Sequence, residues 1–239
     1  IAFDPLTTPT VLNKKTLTVN YAVDYTHYRE EGTYLHWETK QITFTNLMEG
    51  ENTLTITETD PAGNQTTVTR KVIVDTSLPD YTWIGGSSEN HAWSTQANWI
   101  NGIIPGAADT VTFYADSADC VIDAAVTLAN MTMMAGYNGV ITQQADVNIS
   151  GNYSQAGGQW VDANPTTHAF NVGNSFSIPS AAGAFNRYGD QVFGYYLVRD
   201  VYDFQAMSGF LSSNFRLVNH VDASKTVNWN SGAGFDSIG

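Results

Sequence analysis

The sequence has 239 residues, only 14 % of them charged, and a formal net charge of −13 at pH 7. Ten Lys and Arg against 23 Asp and Glu argue against nucleic acid and against anionic membrane surfaces, because both attract cations. A single cysteine, Cys120, excludes an intrachain disulfide, and we expect it to be a small buried hydrophobe. No apolar run reaches the roughly 18 residues that a transmembrane helix needs. Plentiful Thr, Asn, Ser and Gly are typical of an all-β protein.

The first segment, residues 1–78, alternates apolar and polar residues, a pattern that predicts strands with one buried face. The alternation is clearest over Thr16–Val23 and Asn52–Glu58, and again over Thr66–Val74. The turn Asp60–Asn64 lies between the last two, so we expect them to form a hairpin. About 80 residues with strands this regular predict a small β-sandwich.

The run GENTLTITETDPAGNQTTVTRKVIVDTSLP resembles the final hairpin and linker of the bacterial immunoglobulin-like domains found in surface adhesins. The turn D-x-A-G-N and the closing V-D-T-x-x-P carry the resemblance together. It implies an immunoglobulin-like sandwich over residues 1–78. Pro79 then ends the last strand by removing a hydrogen-bond donor from the ladder.

In calcium-binding members of that family, aspartates at the turn and the linker hold an ion between neighbouring domains. By resemblance Asp60 and Asp75 occupy those positions and Asp80 lies nearby, so the resemblance implies a calcium site. Calcium takes six to eight oxygen ligands, which clustered carboxylates and backbone carbonyls can supply. The alternative is that Asp60 only caps its own turn.

The second segment, residues 79–187, opens with three tryptophans, Trp83, Trp93 and Trp99. Together with the strand-like Asp109–Phe113 they resemble the start of the repetitive β-helices of bacterial surface proteins. Aromatic residues there cover the open end of a solenoid, whose first coil has no neighbour. The alternative is a glycan site at Trp93 and Trp99, which requires both rings at the surface.

Three similar lines in this segment predict its architecture. They are Val126–Met133, Val147–Ser154 and Phe170–Ser177, and they start 21 and then 23 residues apart. A repeat of roughly 20 residues with one short strand and Gly/Asn turns predicts the coil of a parallel β-helix, or β-solenoid, which we expect to be right-handed. Left-handed backbone and ladders between coils would explain the asparagines that recur near the corners. These are Asn130, Asn148, Asn152, Asn171 and Asn174.

The third segment, residues 188–239, contains the best helix candidate of the chain. Asp200 is the expected N-cap, and Val201, Phe204 and Met207 share one face at a spacing of three. A strand is predicted over Asn214–Asp222 and a loop from Trp229 onward.

This order of short helix, LSSNFRLVNHVDAS and a W-N-GAGF-IG end resembles the GLUG-type unit of filamentous-haemagglutinin-related surface proteins. The resemblance implies that residues 188–239 continue the solenoid and that the rod extends beyond Gly239. His220 stands where the family carries an acidic residue, and this departure weakens any ion site there.

The sequence lacks the common catalytic and metal-binding motifs. No H-E-x-x-H, G-x-S-x-G, Walker or G-x-G-x-x-G pattern occurs, and no Cys/His cluster. The five histidines are scattered, at His27, His36, His91, His168 and His220.

Parallel β-helices also host polysaccharide lyases and hydrolases, so the aspartates of the second segment are candidate catalytic groups. A lyase needs a cation to hold an acidic sugar, but no Lys or Arg lies between Lys71 and Arg187. Two carboxylates could still serve a hydrolase, and that alternative stays open. We expect no enzyme and interpret these aspartates as solvated: Asp109, Asp116, Asp119, Asp123, Asp146 and Asp162.

These observations predict a non-enzymatic segment of a bacterial cell-surface protein in the extracellular space. It would act as an adhesin stalk, as a display scaffold or as the subunit of a self-assembling surface layer or fibre; the alternative is a glycan-binding module. The chain opens without Met and stops within a motif, so we expect a piece of a longer parent whose neighbouring domains are its partners. Low charge leaves strand edges with few residues that oppose self-association. No direct membrane insertion is expected.

Overall fold

The computed structural model describes residues 1–29, 32–87, 89–162, 164–179, 181 and 183–239, with the side chains of residues 25–37 outside that description. The chain divides into two compact units. The first contains residues 1–80, 86–90 and 95–103, and the second contains residues 81–85, 91–94 and 104–239. Residues 188–239 belong to the second unit, together with the coils.

Six strands form two three-stranded sheets in the first unit. Their bounds are β1 Ala2–Phe3, β2 Val11–Leu12, β3 Leu17–Arg29, β4 Gly32–Phe44, β5 Gly50–Thr59 and β6 Gln65–Val74. In one sheet β3 pairs antiparallel with β1 and with β4. In the other, β6 pairs antiparallel with β5 and parallel with β2.

Alternate residues of these strands share one hydrophobic core, as the period-2 pattern predicts. The predicted strands and the hairpin around Asp60–Asn64 are confirmed, because β5 and β6 pair in register from Gly50 with Val74 to Thr59 with Gln65. Burial of apolar surface from both sheets stabilises the unit. The buried core residues are Leu12, Leu17, Val19, Tyr21, Val23, Leu47, Leu54, Ile56, Val72 and Val74.

The second unit is a parallel β-solenoid of about five turns. Its strands are β7 Thr82–Trp83, β8 Thr110–Phe113, β9 Cys120–Ile122, β10 Val126–Leu128, β11 Asn130–Met133, β12 Val140–Gln143, β13 Val147–Ile149, β14 Tyr153–Gln155, β15 Gln159–Val161, β16 Phe170–Val172, β17 Phe176–Ser177 and β18 Phe185–Asn186. They form three parallel sheets, ordered β7-β8-β11-β14-β17, β9-β12-β15-β18 and β10-β13-β16.

The register of these sheets confirms the three lines found in the sequence. Val126, Val147 and Phe170 lie opposite one another in neighbouring coils, and so do Met131, Tyr153 and Phe176. The prediction of one short strand per coil was wrong, because each complete coil contains three. Strands of three or four residues are too short to show a clear alternation, so only the most regular pair of each coil stood out in the sequence.

The remaining elements follow the coils. They are β19 Tyr196–Val198, the helix α1 Val201–Ala206, β20 Phe215–Leu217 and short 3₁₀ segments at Gln96–Asn98, Ile100–Gly102, Met207–Phe210 and Ser224–Gly232. β19 and β20 pair in parallel, as further coil strands do. The strand predicted over Asn214–Asp222 is confined to β20. None of the helices in the described part of the chain has the length and apolarity needed to cross a membrane.

The predicted helix and its cap are confirmed, but its buried face differs from the prediction. The Asp200 side chain accepts hydrogen bonds from the backbone N–H groups of Tyr202 and Asp203. Phe204 and Met207 are only half-buried, whereas Tyr202 is buried. The Tyr202 hydroxyl exchanges hydrogen bonds with both backbone groups of Val172 at 2.8 and 2.9 Å, which turns this face toward the solenoid core.

Candidate functional site

Asp60, the first of the three predicted calcium ligands, caps its own turn. Its Oδ1 accepts the backbone N–H groups of Ala62 at 2.9 Å and of Asn64 at 2.8 Å, and its Oδ2 accepts the Asn64 side-chain amide at 2.8 Å. The hydrogen bonds from Asn64 lower the pKa of Asp60. These contacts are those of the alternative interpretation, in which the carboxylate stabilises the hairpin turn.

Asp75 and Asp80 follow the other end of β6, and they bond to the neighbouring residues Leu12 and Asn13. The Asp75 N–H donates to Leu12 O at 2.8 Å, and Asp80 Oδ1 accepts from Asn13 Nδ2 at 3.0 Å. Ser77 donates to the Asp75 carboxylate and lowers its pKa. Since the ten residues of β6 span about 33 Å, one chain does not bring Asp60 to these two aspartates. Within the described residues, no three His, Cys, Asp or Glu side chains are grouped to hold a metal ion.

Both tryptophans of the predicted glycan alternative are buried. Trp93 is 2 % exposed and Trp99 is fully buried, so neither presents a ring face to a sugar. Within the solenoid unit Trp93 stacks on Trp83, with ring centroids 6.4 Å apart. This arrangement favours the interpretation of Trp83 and Trp93 as an apolar cover. Trp99 belongs to a segment of the first compact unit.

Two of the candidate catalytic aspartates, Asp119 and Asp146, bond the next coil. Asp119 Oδ1 accepts the backbone N–H of Val140 at 2.8 Å, and Asp146 Oδ1 accepts that of Ala169 at 2.7 Å. Both amides belong to the next coil. These carboxylates satisfy backbone donors at the corners, so the interpretation of them as merely solvated was incomplete.

The corner asparagines form ladders between coils, as predicted. Asn130 Oδ1 accepts the Asn152 N–H at 2.9 Å, and Asn152 Oδ1 accepts the Asn174 side-chain amide at 2.8 Å. A second ladder joins Asn171 to Asn148 at 2.9 Å. The left-handed backbone expected for these asparagines is not adopted, because none of them has a positive φ.

One buried charge network lies where the coils meet α1, and sequence reasoning did not find it. Arg187, 2 % exposed, lies 3.1 Å from Asp200 and 3.4 Å from the fully buried Asp203. Arg199 lies 3.5 Å from the second oxygen of Asp203 and donates its backbone N–H to it at 3.0 Å. Tyr188 donates its hydroxyl to the Asp203 carbonyl at 2.5 Å.

Burial dominates the electrostatics of this network. It raises the pKa of Asp203 to about 6, against the opposing effect of the neighbouring Arg187. The Arg187 guanidinium also lies over the Phe170 ring, 5.3 Å from its centroid. The sequence does contain a signal for this network, because every Lys and Arg after Lys71 falls between residues 187 and 225.

A polar cleft of about 300 Å³ opens beside the network. Arg199, Asp200, His220, Asp222 and Lys225 contribute its charged and titratable groups. The predicted departure at His220 thus borders a cleft of mixed charge rather than a cluster of carboxylates. The aromatic rings in its wall belong to buried residues, so it lacks an exposed ring on which a sugar could stack.

The remaining titratable candidates are accounted for where they are described. Cys120 is fully buried, which confirms the predicted small hydrophobe, and this burial raises the pKa of its thiol. His168 Nδ1 lies 3.1 Å from the buried Asp162. The side chains of His27 and His36 lie outside the described part.

Comparisons with known proteins add no family to this geometry: no family model, no curated protein and no solved structure matches the chain. Among the candidate catalytic aspartates, Asp119 and Asp146 bond the backbone of the next coil, and Asp162 lies against His168. The arrangement is chemically suited to holding coils together.

Proposed function

We propose that this chain is a mechanical segment of a bacterial cell-surface protein, acting in the extracellular space as a stalk, a display scaffold or an assembling subunit. The observation that carries the proposal is the use of corner side chains. Asn130, Asn152, Asp119 and Asp146 each bond the next coil, so the polar groups of the solenoid stiffen it. A polysaccharide hydrolase is a weaker alternative, since two of its candidate carboxylates are occupied in this way.

The strand order of the first unit supports an immunoglobulin-like sandwich. Such sandwiches place strands A, B, E and D in one sheet and C, F and G in the other. The order β1-β3-β4 corresponds to A-B-E, and the β5-β6 hairpin corresponds to F-G. The departure is that strands C and D have no counterpart among the described strands.

The end of the chain supports the GLUG-type resemblance in a similar way. β19 and β20 pair in parallel, 19 residues apart, which is close to the coil length of the preceding solenoid. We propose that residues 188–239 continue the solenoid. A right-handed coil is part of the proposal, because parallel crossovers are right-handed in about 98 % of cases.

Calcium belongs to the proposal in a modified form. Asp75 and Asp80 bond to the neighbouring residues Leu12 and Asn13, so they are the pair that could take part in an ion site, while Asp60 would serve a neighbouring domain of a longer chain. Partners of the segment are then its neighbouring domains and further copies. A surface glycan is a weaker candidate because Trp93 and Trp99 are buried.

Negative-stain imaging with light scattering, in calcium and then in EDTA, tests the mechanical role. Ordered filaments or sheets would support an assembling subunit, and stiff monomeric rods in both conditions would support a stalk. Hydrolysis of a panel of polysaccharides that is lost in Asp146→Asn would contradict the proposal.

Thermal melting in calcium and then in EDTA tests the ion site. We expect a higher melting temperature in calcium. This increase should be lost in Asp75→Asn/Asp80→Asn and retained in Asp60→Asn.

A further inference from the structure

A short hairpin between the coils and β19 carries the most exposed large hydrophobic residue that the structure describes. Phe193 is 92 % exposed, and its neighbours Val192 and Tyr195 are 45 % and 44 % exposed. The Val192 and Tyr195 backbones exchange two hydrogen bonds, of 2.9 and 3.1 Å, around the central pair Phe193-Gly194. The hairpin therefore holds an aromatic ring out in solvent.

The backbone of this hairpin is unfavourable for phenylalanine. Phe193 has φ +52° and Gly194 has φ +81°, so both central residues have positive φ, as in a type I′ turn. Asn and Gly are the residues preferred at the first position, and a bulky residue with positive φ is an outlier. Strain of this kind persists at sites where it serves a purpose.

An apolar cleft lies elsewhere on the same unit. It has a volume of about 280 Å³ and is lined by Val201, Phe204, Leu217, Val221, Ala223 and Phe235. None of these residues is charged, and Leu217 is 57 % exposed. A cavity of about 150 Å³ holds a benzene ring, so this cleft has room for one aromatic side chain.

We propose that the Phe193 hairpin of one copy inserts into this cleft of a second copy. The Phe193 hairpin, called the knob below, and the cleft are different surfaces of the protein. The contact is therefore heterologous and can repeat into an open row of copies. This inference rests on the proposed function, and it names how an assembling subunit would join its neighbour.

The size of the contact sets its expected strength. One aromatic side chain buries about 150–250 Å², well below the roughly 800 Å² per partner of a stable interface. We therefore expect weak association, with a dissociation constant on the order of 0.1–1 mM, which is strengthened when copies are crowded on a surface. Because the net charge of −13 repels neighbouring copies, salt should strengthen the association by screening.

The first test is Phe193→Asn, studied by sedimentation velocity over a range of concentration and salt. Asn suits the type I′ turn, so this variant should fold and melt at or above the wild-type temperature. Its self-association should be weakened about 30-fold, as for a truncated hot spot. Met48→Asn removes another hydrophobic side chain, 72 % exposed, from the first unit, and should associate like the wild type.

The second test fills the cleft with Ala223→Phe. Alone, this variant should be monomeric, like Phe193→Asn. Mixed together, the two should form a one-to-one pair that cannot grow, because one retains the knob and the other the cleft. Near-ultraviolet circular dichroism checks that Ala223→Phe is folded.

The outcomes separate the inference from the proposal beneath it. Assembly of Phe193→Asn at wild-type concentrations would overturn the hairpin inference and leave an assembling subunit in place. A wild-type chain that is monomeric up to about 1 mM in high salt would overturn both the inference and the assembly role, and leave the stalk.

Discussion

The early and late coils of the solenoid have the same backbone register but different cores. In one column of stacked residues the sequence runs Cys120, Ile141, Trp160 and Phe185. All four are buried, at 0–2 % exposure. In this column the early coils contribute small and aliphatic side chains, and the late coils contribute aromatic rings.

This difference shows that each repeat is defined by the hydrogen-bonded register of its strands and not by the type of residue at a given position. Trp160 stacks on Phe185 at 6.0 Å between centroids and meets Tyr153 edge-on at 5.8 Å. Aromatic contacts of this kind add about 0.5–1.5 kcal/mol each beyond the area they bury. Among the described residues, only the late coils are followed by a buried ion network, in which Arg187 lies over Phe170. The late coils thus depend on a cation–ring contact and an ion network, whereas the early coils contain no Lys or Arg.

The largest difference in stability between the early and late coils is expected for a substitution at Trp160. Trp160→Ala should lower the free energy of unfolding by about 3–5 kcal/mol, because it removes a large buried side chain that its neighbours cannot replace. Cys120→Ala, in the same column among the early coils, should cost about 1 kcal/mol. Urea denaturation of the two variants measures the difference, and equal losses would show that the two cores are equivalent.

The ion network gives the next largest effect. Arg187→Ala should cost about 3–5 kcal/mol, because it leaves the carboxylate of Asp203 buried without its nearest cation. The double variant Arg187→Met/Asp203→Leu should recover most of that loss, since apolar groups of similar volume need no partner. A double variant that is less stable than Arg187→Ala would show that the network itself supplies net stability.

Much of the fold could be predicted from periodicity. The hairpin of β5 and β6, the stacking of Val126 on Val147 and the Asp200 cap each depend on neighbours in sequence or on a regular repeat. Local patterns of this kind are visible in a single sequence.

The rest of the molecule depends on contacts between distant residues. Strands as short as β9 or β15 show a pair of apolar residues but no alternation, so the number of strands in each coil could not be predicted. The link from Tyr202 to Val172 joins residues 30 positions apart and turns α1 to a face that its own pattern did not indicate. The corner role of Asp146 likewise requires the position of Ala169 in the next coil.

The asparagine ladder tests how the early and late coils are connected, because Asn152 lies between Asn130 and Asn174. Asn152→Ala removes the acceptor for the Asn174 amide and for the Ser175 N–H, and should cost about 1–2 kcal/mol. Asn138→Ala removes a single exposed bond to Gly136 in the same chain segment and should cost less than 0.5 kcal/mol, as roughly expected at the surface. Thermal melting of both would contradict the ladder's role if the two shifts were the same.

The smallest expected effect is a dependence of stability on pH that only the late coils should show. Burial raises the pKa of Asp203 to about 6 in the folded protein, above its ordinary value of 3.8, so the folded state binds this proton more tightly than the unfolded state. Stability linked to Asp203 is therefore gained as pH falls through 6 toward 3.8, by about 1 kcal/mol between pH 7 and 5.

Asp203→Asn should lack this gain, whereas Asp116→Asn, an exposed position in the early coils, should keep it. The difference in unfolding free energy between wild type and Asp203→Asn, followed from pH 7 to 5, isolates the effect from the exposed carboxylates, whose lowered pKa values act below this range. A difference that stays constant would mean that Arg187 and Arg199 hold Asp203 ionised throughout, and that the ion pair outweighs burial at the aromatic end of the solenoid.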